Sequence, residues 1–310
     1  MNRILVIRGG ALGDFILTLP AIKLLRDAYP SARLEILGYK HIVALAEQRF
    51  YADAVCSIEY AGLASFFARD AALPDDLKDY FASFDLVVSY LFDPDGIFAA
   101  NLKRCGGARL ITGPAKFGLH KHATLELAHP LQELGLTLYD PAAHIFPNEQ
   151  DNEAAASWIS SVSPPFLALH PGSGSVAKNW PLDRWAALGR SRQRFLAIAG
   201  EADDDALVFL RDAWKGLPVT YVINQPLTTV SAVLAKCACF VGHDSGISHL
   251  AAAVGASCVL LFGPTDPARW APLNERVRIL RACEQTMPAI GVEEVREALN
   301  YELMRMGIST

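Results

Sequence analysis

The chain has 310 residues, 52% of them hydrophobic and 20% charged, with 28 basic against 33 acidic side chains and a formal net charge of −5. At roughly 100–200 residues per domain this length suggests two domains, and the apolar content excludes a disordered chain. The acidic balance counts against nucleic-acid binding, since a protein that grips a phosphate backbone carries a basic excess.

The longest apolar stretch, residues 250–262, falls short of the roughly 18–20 residues of a spanning helix, and Gly255 interrupts it. The first 22 residues imitate a secretory signal, but Arg8 and Asp14 lie where its apolar core would be, so the expected location is the cytoplasm.

Short apolar runs at 3–8, 33–37, 54–58, 84–90 and 109–112 read as strands. A second series follows at 166–170, 194–199, 218–223, 238–242, 257–262 and 277–280. Helical patterns fall at 20–29, 41–50, 97–104, 125–134, 182–190, 206–213 and 245–254. Near-continuous apolar strands alternating with helices imply parallel sheets covered on both faces. Residues 137–152, with Pro141 and Pro147, have little periodicity and read as a linker. Beyond them PPFLALHPGSGS repeats the plan of NRILVIRGGALGD, a buried strand followed by a glycine-rich turn. The expectation is two doubly wound domains, 1–150 and 151–310, facing each other across a cleft, with ligands at the carboxyl ends of the strands. The last helix is left open to packing back on the first domain.

Six cysteines are scattered without a C-x-x-C pair and read as reduced, buried side chains. Cys237, Cys239, His243 and His249 could be drawn as a metal cluster, but strand alternation puts both cysteines on one side of a strand, and the core reading is preferred.

The first turn, Arg8 to Asp14, carries Gly9, Gly10 and Gly13. It narrowly misses the dinucleotide fingerprint, because Arg8 stands in the place of the first glycine, although Glu35 lies where an acid would hold a ribose. There is no P-loop motif. Asp14 reads either as a helix N-cap or as a base for a bound hydroxyl, and spacing leaves both open. The second turn, His170 to Pro181, offers small residues, hydroxyls and Lys178, a composition suited to an anionic ligand. In the third, after Gly242, Asp244 or Ser245 caps an alanine-rich helix whose start would seat a diphosphate. A serine nucleophile elbow fails there, since Asp244 occupies the serine's place. Glu201 closes another strand and could hold ribose hydroxyls. Lys103, Arg104, Arg109, Lys116 and Lys121 form an acid-free basic segment that reads as a solvated face or as a contact for an anionic acceptor or membrane.

R-G-G-A-L-G-D-F-I-L-T-L-P-A-I-K-L-L-R, H-P-G-S-G-S-V-A-K-N-W-P, G-H-D-S-G-I-S-H-L-A-A-A and F-G-P-T-D-P occur in that order. Together they resemble the glycosyltransferase family 9 heptosyltransferases of lipopolysaccharide core assembly. The resemblance implies an α/β GT-B fold of two Rossmann-like domains, the second holding the nucleotide sugar. It implies metal-independent, inverting transfer of a heptose from an ADP-activated co-substrate, with no cofactor, to an anionic lipopolysaccharide-core acceptor, and peripheral contact with the inner membrane. Carried onto this chain, Asp14 is the general base and Lys178 and Ser173 contact the diphosphate. Asp244, Ser245, Gly246 and His249 complete the nucleotide site, and Glu201 matches the ribose-binding acid. Lys103, Arg104, Arg109 and Lys116 are the candidates for the acceptor. Other expectations kept open are a family 9 transferase for another nucleotide sugar or acceptor, a catalytically silent GT-B binding protein, and an NAD-type oxidoreductase.

Overall fold

The computed structural model describes residues 1–114, 117, 121–162, 164–190 and 194–308. The chain divides into two compact units, Met1–Pro141 and Ala142–Thr310.

The first unit is built on a five-stranded parallel sheet in the order β3-β2-β1-β4-β5. Its strands are β1 (Arg3–Arg8), β2 (Arg33–Gly38), β3 (Ala54–Ser57), β4 (Leu86–Ser89) and β5 (Arg109–Thr112). Ile4, Leu5, Val6 and Ile7 of the central strand are fully buried, as a strand covered on both faces requires. One face carries an aromatic cluster in which the Phe81 ring lies 4.8 Å from that of Phe66 and 6.4 Å from that of Phe98.

The first helix spans Leu12–Ala28, starting well before residue 20, with Pro20 inside it. An interior proline costs about 3 kcal/mol. Burial of Phe15, Ile16, Leu17, Leu19 and Ile22 outweighs that, at roughly 1.5–3 kcal/mol each. The pattern at 41–50 yields only the short helix Lys40–Val43. Gln48 takes a positive φ of 50°, and Arg49 Nη1 donates to the carbonyls of Ala44 and Glu47, which ends the helical run.

The second unit holds a six-stranded parallel sheet in the order β11-β10-β9-β6-β7-β8. Its strands are β6 (Leu167–His170), β7 (Phe195–Ala199), β8 (Val219–Ile223), β9 (Cys239–His243), β10 (Cys258–Phe262) and β11 (Val277–Arg281). Trp180, Trp185 and Trp214 fill its core. Part of the stretch read as a linker is tied in, for the Ile145 N–H donates to Ala253 O and Asn274 Nδ2 to Ala143 O. The helix Glu149–Val162 then begins inside the same stretch. The last helix, Val292–Arg305, sets Val295, Leu299 and Leu303 into the core of the second unit. Its buried Glu302 accepts from Arg278 Nε at 2.8 Å and from Ser257 Oγ at 3.2 Å. Among the described residues no helix is long and apolar enough to cross a membrane.

Phe81→Ala should lower the stability of the first unit by about 3–5 kcal/mol, because it empties a buried aromatic site. Denaturant titration reads this as an earlier midpoint, and a loss under 1 kcal/mol would contradict the packing described.

Candidate active site

In the first unit, β1 ends at Arg8 and the chain turns through Gly9 and Gly10 into the first helix. Gly10 has a φ of +98°, and a Cβ there would stand 2.9 Å from Asp14 Oδ2, so the turn needs glycine for both conformation and space. Gly13 lies in the first helical turn. Ala11, not Asp14, occupies the N-cap position. Asp14 reaches back from the first turn, and its Oδ2 accepts the Ala11 N–H at 3.1 Å. Its Oδ1 lies 3.5 Å from Arg8 Nη2, and the side chain stays 38% exposed, so this carboxylate is accessible to a ligand.

Arg8 is largely enclosed. Its Nε and Nη2 donate to Asp14 O at 3.3 and 3.2 Å, and Nη1 donates to Tyr90 O at 3.2 Å. Burial pushes the guanidinium pKa down, against the pull of Asp14. A cavity of ≈ 540 Å³ opens beside these groups, lined also by Tyr39, Glu59, Phe67, Tyr90 and Phe92. The Tyr90 hydroxyl is buried and without a partner among the described residues.

Glu35 does not reach this edge. β2 runs on to Gly38, and Glu35 lies within it, buried, accepting from Arg3 Nη2 at 3.0 Å and Arg33 Nε at 2.9 Å. It is an internal ion-pair partner and offers nothing to a ribose. Nor are Lys103, Arg104 and Arg109 brought to Asp14. Arg109 pairs with Leu86 at the amino end of its strand, and Lys103 and Arg104 close the helix leading into it, so all three lie at the opposite edge of the sheet. Arg109 also pairs with Glu133 at 3.5 Å. Lys116 lies outside the described residues.

In the second unit, β6 and β9 are adjacent, with His170 opposite Gly242, so the turns that follow them emerge side by side. The first turn runs from Pro171 to Trp180 and includes one 3₁₀ turn, Val176–Lys178. Ser173 Oγ lies 2.8 Å from Ser175 O and 2.6 Å from Asn179 Oδ1. Lys178 Nζ donates to Asp244 Oδ2 at 2.8 Å, joining the two turns. Ser245 is the N-cap of the helix Gly246–Ala253, its Oγ accepting the Ser248 N–H at 3.3 Å. Gly246 opens that helix and His249 is buried on it. Ser173, Lys178, Asp244, Ser245 and Gly246 are thus gathered at neighbouring strand ends, a cation beside a helix start.

Glu201 is exposed in the turn after β7. The acid that the turn directs inward is Asp203, whose Oδ2 accepts the Gly200 N–H at 2.8 Å and lies 4.0 Å from His170 Nδ1. A Cβ on Gly172 would stand 1.6 Å from Asp203 Oδ1, so glycine is required there. The D-D-D run after Glu201 in the sequence carried the signal for such an acid without saying which member turns in.

His243, noted in the sequence only as a potential metal ligand, sits fully buried at the end of β9. Among the described residues no group of three His, Cys, Asp or Glu could hold a metal ion. Burial and the neighbouring His170 push the His243 pKa down to about 3. Burial lowers His170 as well, opposed by Asp203.

A model of glycosyltransferase family 9 (heptosyltransferase) matches residues 116–299, and the chain belongs to this family. It is 24% identical to lipopolysaccharide heptosyltransferase 3 of Escherichia coli strain K12 over 86% of this chain and 83% of that one. Among solved structures, a family 9 glycosyl transferase from Veillonella parvula DSM 2008 superposes with a TM-score of 0.81 at 18% identity, covering 98% of this chain and 97% of its own. The Escherichia coli ADP-heptose lps heptosyltransferase II gives 0.81 at 19% identity, covering 99% of this chain and all (100%) of its own. The two parallel-sheet α/β units are those of a GT-B fold, and the protein is a glycosyltransferase of the heptosyltransferase kind, which sets aside the oxidoreductase and the silent binding protein.

A pH dependence follows from His243. Its imidazole titrates near 6.5 when unfolded and at about 3 when folded. Below pH 6.5 the unfolded chain therefore binds a proton that the folded chain refuses, and stability falls with pH. The groups facing the ring are His170, the Trp180 backbone N–H, the Trp185 indole and Gly172 O. The expected loss from this residue is about 1.4 kcal/mol per pH unit below 6.5. Denaturant titrations at pH 7 and pH 5 should show that decline, and His243→Gln should remove its share. An equal decline in both proteins would contradict a neutral, buried ring.

Proposed function

We propose that the protein transfers a heptose from ADP-heptose to a sugar hydroxyl of a lipopolysaccharide-core acceptor, inverting the anomeric centre without a metal. The observation that carries the reading is the pairing, in one family 9 chain, of an accessible Asp14 carboxylate beside a cavity with the Lys178–Asp244 turn against the Ser245 helix start. The donor is supported by the relative whose description names ADP-heptose.

Asp14 acts as general base. It takes the proton of the acceptor hydroxyl as that oxygen bonds to the anomeric carbon and the ADP oxygen departs with the bonding electrons. One displacement of this kind inverts the centre. Arg8, held on the Asp14 carbonyl, fixes the start of the helix that presents the base. Lys178, the backbone N–H groups after Ser245 and the Ser173 hydroxyl stabilise the charge gathering on the diphosphate, which is the work a metal does in other transferases. Asp244 holds Lys178 in place, His249 completes the nucleotide site on the Ser245 helix, and Glu201 or the neighbouring Asp203 meets the ribose.

The acceptor enters the cavity beside Asp14, where the rings of Tyr39, Phe67 and Phe92 suit the C–H faces of a sugar. Lys103, Arg104 and Arg109, at the far edge of the sheet, are better placed for an anionic surface such as the inner membrane, where a lipid-linked acceptor resides.

Asp14→Asn should lower kcat by about 10²–10⁴-fold and leave ADP affinity unchanged. Unchanged turnover would remove Asp14 as the base. Lys178→Ala should weaken ADP binding by about 10- to 100-fold, the worth of one charge-assisted hydrogen bond. Calorimetric titration with ADP, UDP and GDP, with and without a chelator, should show chelator-independent preference for ADP. Preference for UDP or GDP would move the donor to another sugar, and retention of anomeric configuration in the product would end the single-displacement scheme.

A further inference from the structure

We infer that His243 is a positioning residue that pins the diphosphate turn, holding both of its ends on one neutral imidazole ring. The inference rests on the donor reading of the Lys178 turn and adds a residue that this reading does not use.

Two N–H groups converge on the same ring nitrogen. The Trp180 backbone N–H lies 2.8 Å from His243 Nε2, and the Trp185 indole Nε1–H lies 3.3 Å from it. Both neighbours can only donate, so Nε2 must be an unprotonated acceptor. The ring proton therefore resides on Nδ1, which points at Gly172 O from 3.4 Å. Gly172 is the second residue of the turn that carries Ser173 and Lys178, and Trp180 ends it. A single side chain thus fixes the distance that the turn must span.

The backbone of the same residue reaches the other half of the site. The Ser248 hydroxyl donates to His243 O, and Ser248 N–H is the donor that Ser245 caps. Asp244, the next residue, takes the Lys178 ammonium at 2.8 Å. His243 accordingly ties the turn, the acid that holds its lysine and the helix start into one unit. The Trp185 ring meets the imidazole at 72° with centroids 5.2 Å apart, which keeps the ring from swinging out of reach of Trp180. Among the described residues the two donors have no other hydrogen-bond partner, and burial removes water as a substitute.

The role differs from catalysis. His243 is fully buried, so it acts on ligand through the placement of Lys178. It should therefore govern donor affinity and leave the acceptor alone. Four proteins test this: His243→Phe, which keeps ring volume but loses the acceptor; His243→Gln, whose Oε1 can replace Nε2; Lys178→Ala; and His243→Phe combined with Lys178→Ala.

With ADP as the probe, His243→Phe should raise Kd tenfold or more, and His243→Gln should recover it to within about threefold of the unsubstituted protein. In steady-state transfer His243→Phe should raise the donor KM and leave the acceptor KM unchanged. Added to Lys178→Ala, His243→Phe should weaken ADP binding by less than a further threefold, because the pin acts through that lysine. Full additivity, unchanged ADP affinity in His243→Phe, or no recovery in His243→Gln would overturn the inference. Should His243→Phe fail to fold, ¹⁵N NMR of the imidazole in the intact protein decides instead: a proton on Nδ1 and a bare Nε2 are expected, and a protonated Nε2 overturns the pin. If Lys178→Ala leaves ADP affinity unchanged, the donor reading fails by itself, and the imidazole spectrum still reports on the pin separately.

Discussion

Parallel pairing of β6 with β9 sets His170 opposite Gly242, and both strands must release the chain at the same edge of the sheet. Everything proposed for the second unit descends from that register. A backbone leaving two neighbouring buried strands cannot continue its ladder, so its polar groups need partners in the turns. The partners found include side chains: Ser173 Oγ donates to Ser175 O, the His243 ring accepts the Trp180 N–H and Ser245 Oγ accepts the Ser248 N–H, while Lys178 on Asp244 ties one turn to the other. A one-residue slip would turn His243 to the other face of the sheet and separate Lys178 from its acid. The same logic governs β1 in the first unit, where Arg8 ends the central strand and folds back on the helix that follows.

Much of this was legible in the sequence because burial on both faces writes strands as unbroken apolar runs. Every run read as a strand is one, and β1 and β5 have the expected limits. Helices were harder. Pro20 looks like a beginning, and only the buried surface of Phe15 through Ile22 shows why the helix tolerates it. Residues 41–50 have helical spacing, yet Gln48 and Arg49 form a turn whose hydrogen bonds no periodicity reveals. The helices Asp75–Ala82 and Leu227–Leu234 have short patterns entered from Pro74 and Pro226, and Glu149–Val162, which contains no proline, begins inside the weakly periodic stretch that reads as a linker.

The site was legible in its residue types and less so in its geometry. Glycine, serine and lysine after a buried strand announce an anion seat. Whether an acid turns in or out depends on bonds that form only in the fold. Glu201 stays in solvent while Asp203, two residues on, caps Gly200 and crowds Gly172. Glu35 has the right spacing for a ribose and is spent on two arginines. Lys103, Arg104 and Arg109 cluster in sequence, but parallel strand direction carries them to the edge away from Asp14. His243 left one sign, a polar residue closing an apolar strand, and a strand end gives no hint of what its ring will meet.

The tryptophans of the second unit have a consequence of their own. Trp180 and Trp185 share one imidazole, with their rings 5.2 Å apart, and the chain has five tryptophans in all. Trp158 and Trp270 are only partly enclosed, and Trp214 lies against Phe195 at 4.8 Å. The emitters nearest the Lys178 turn are therefore also the ones whose surroundings would change if that turn shifted. If the proposed donor seats there, the protein carries its own optical gauge, and ultraviolet fluorescence would follow the turn in real time with no dye attached.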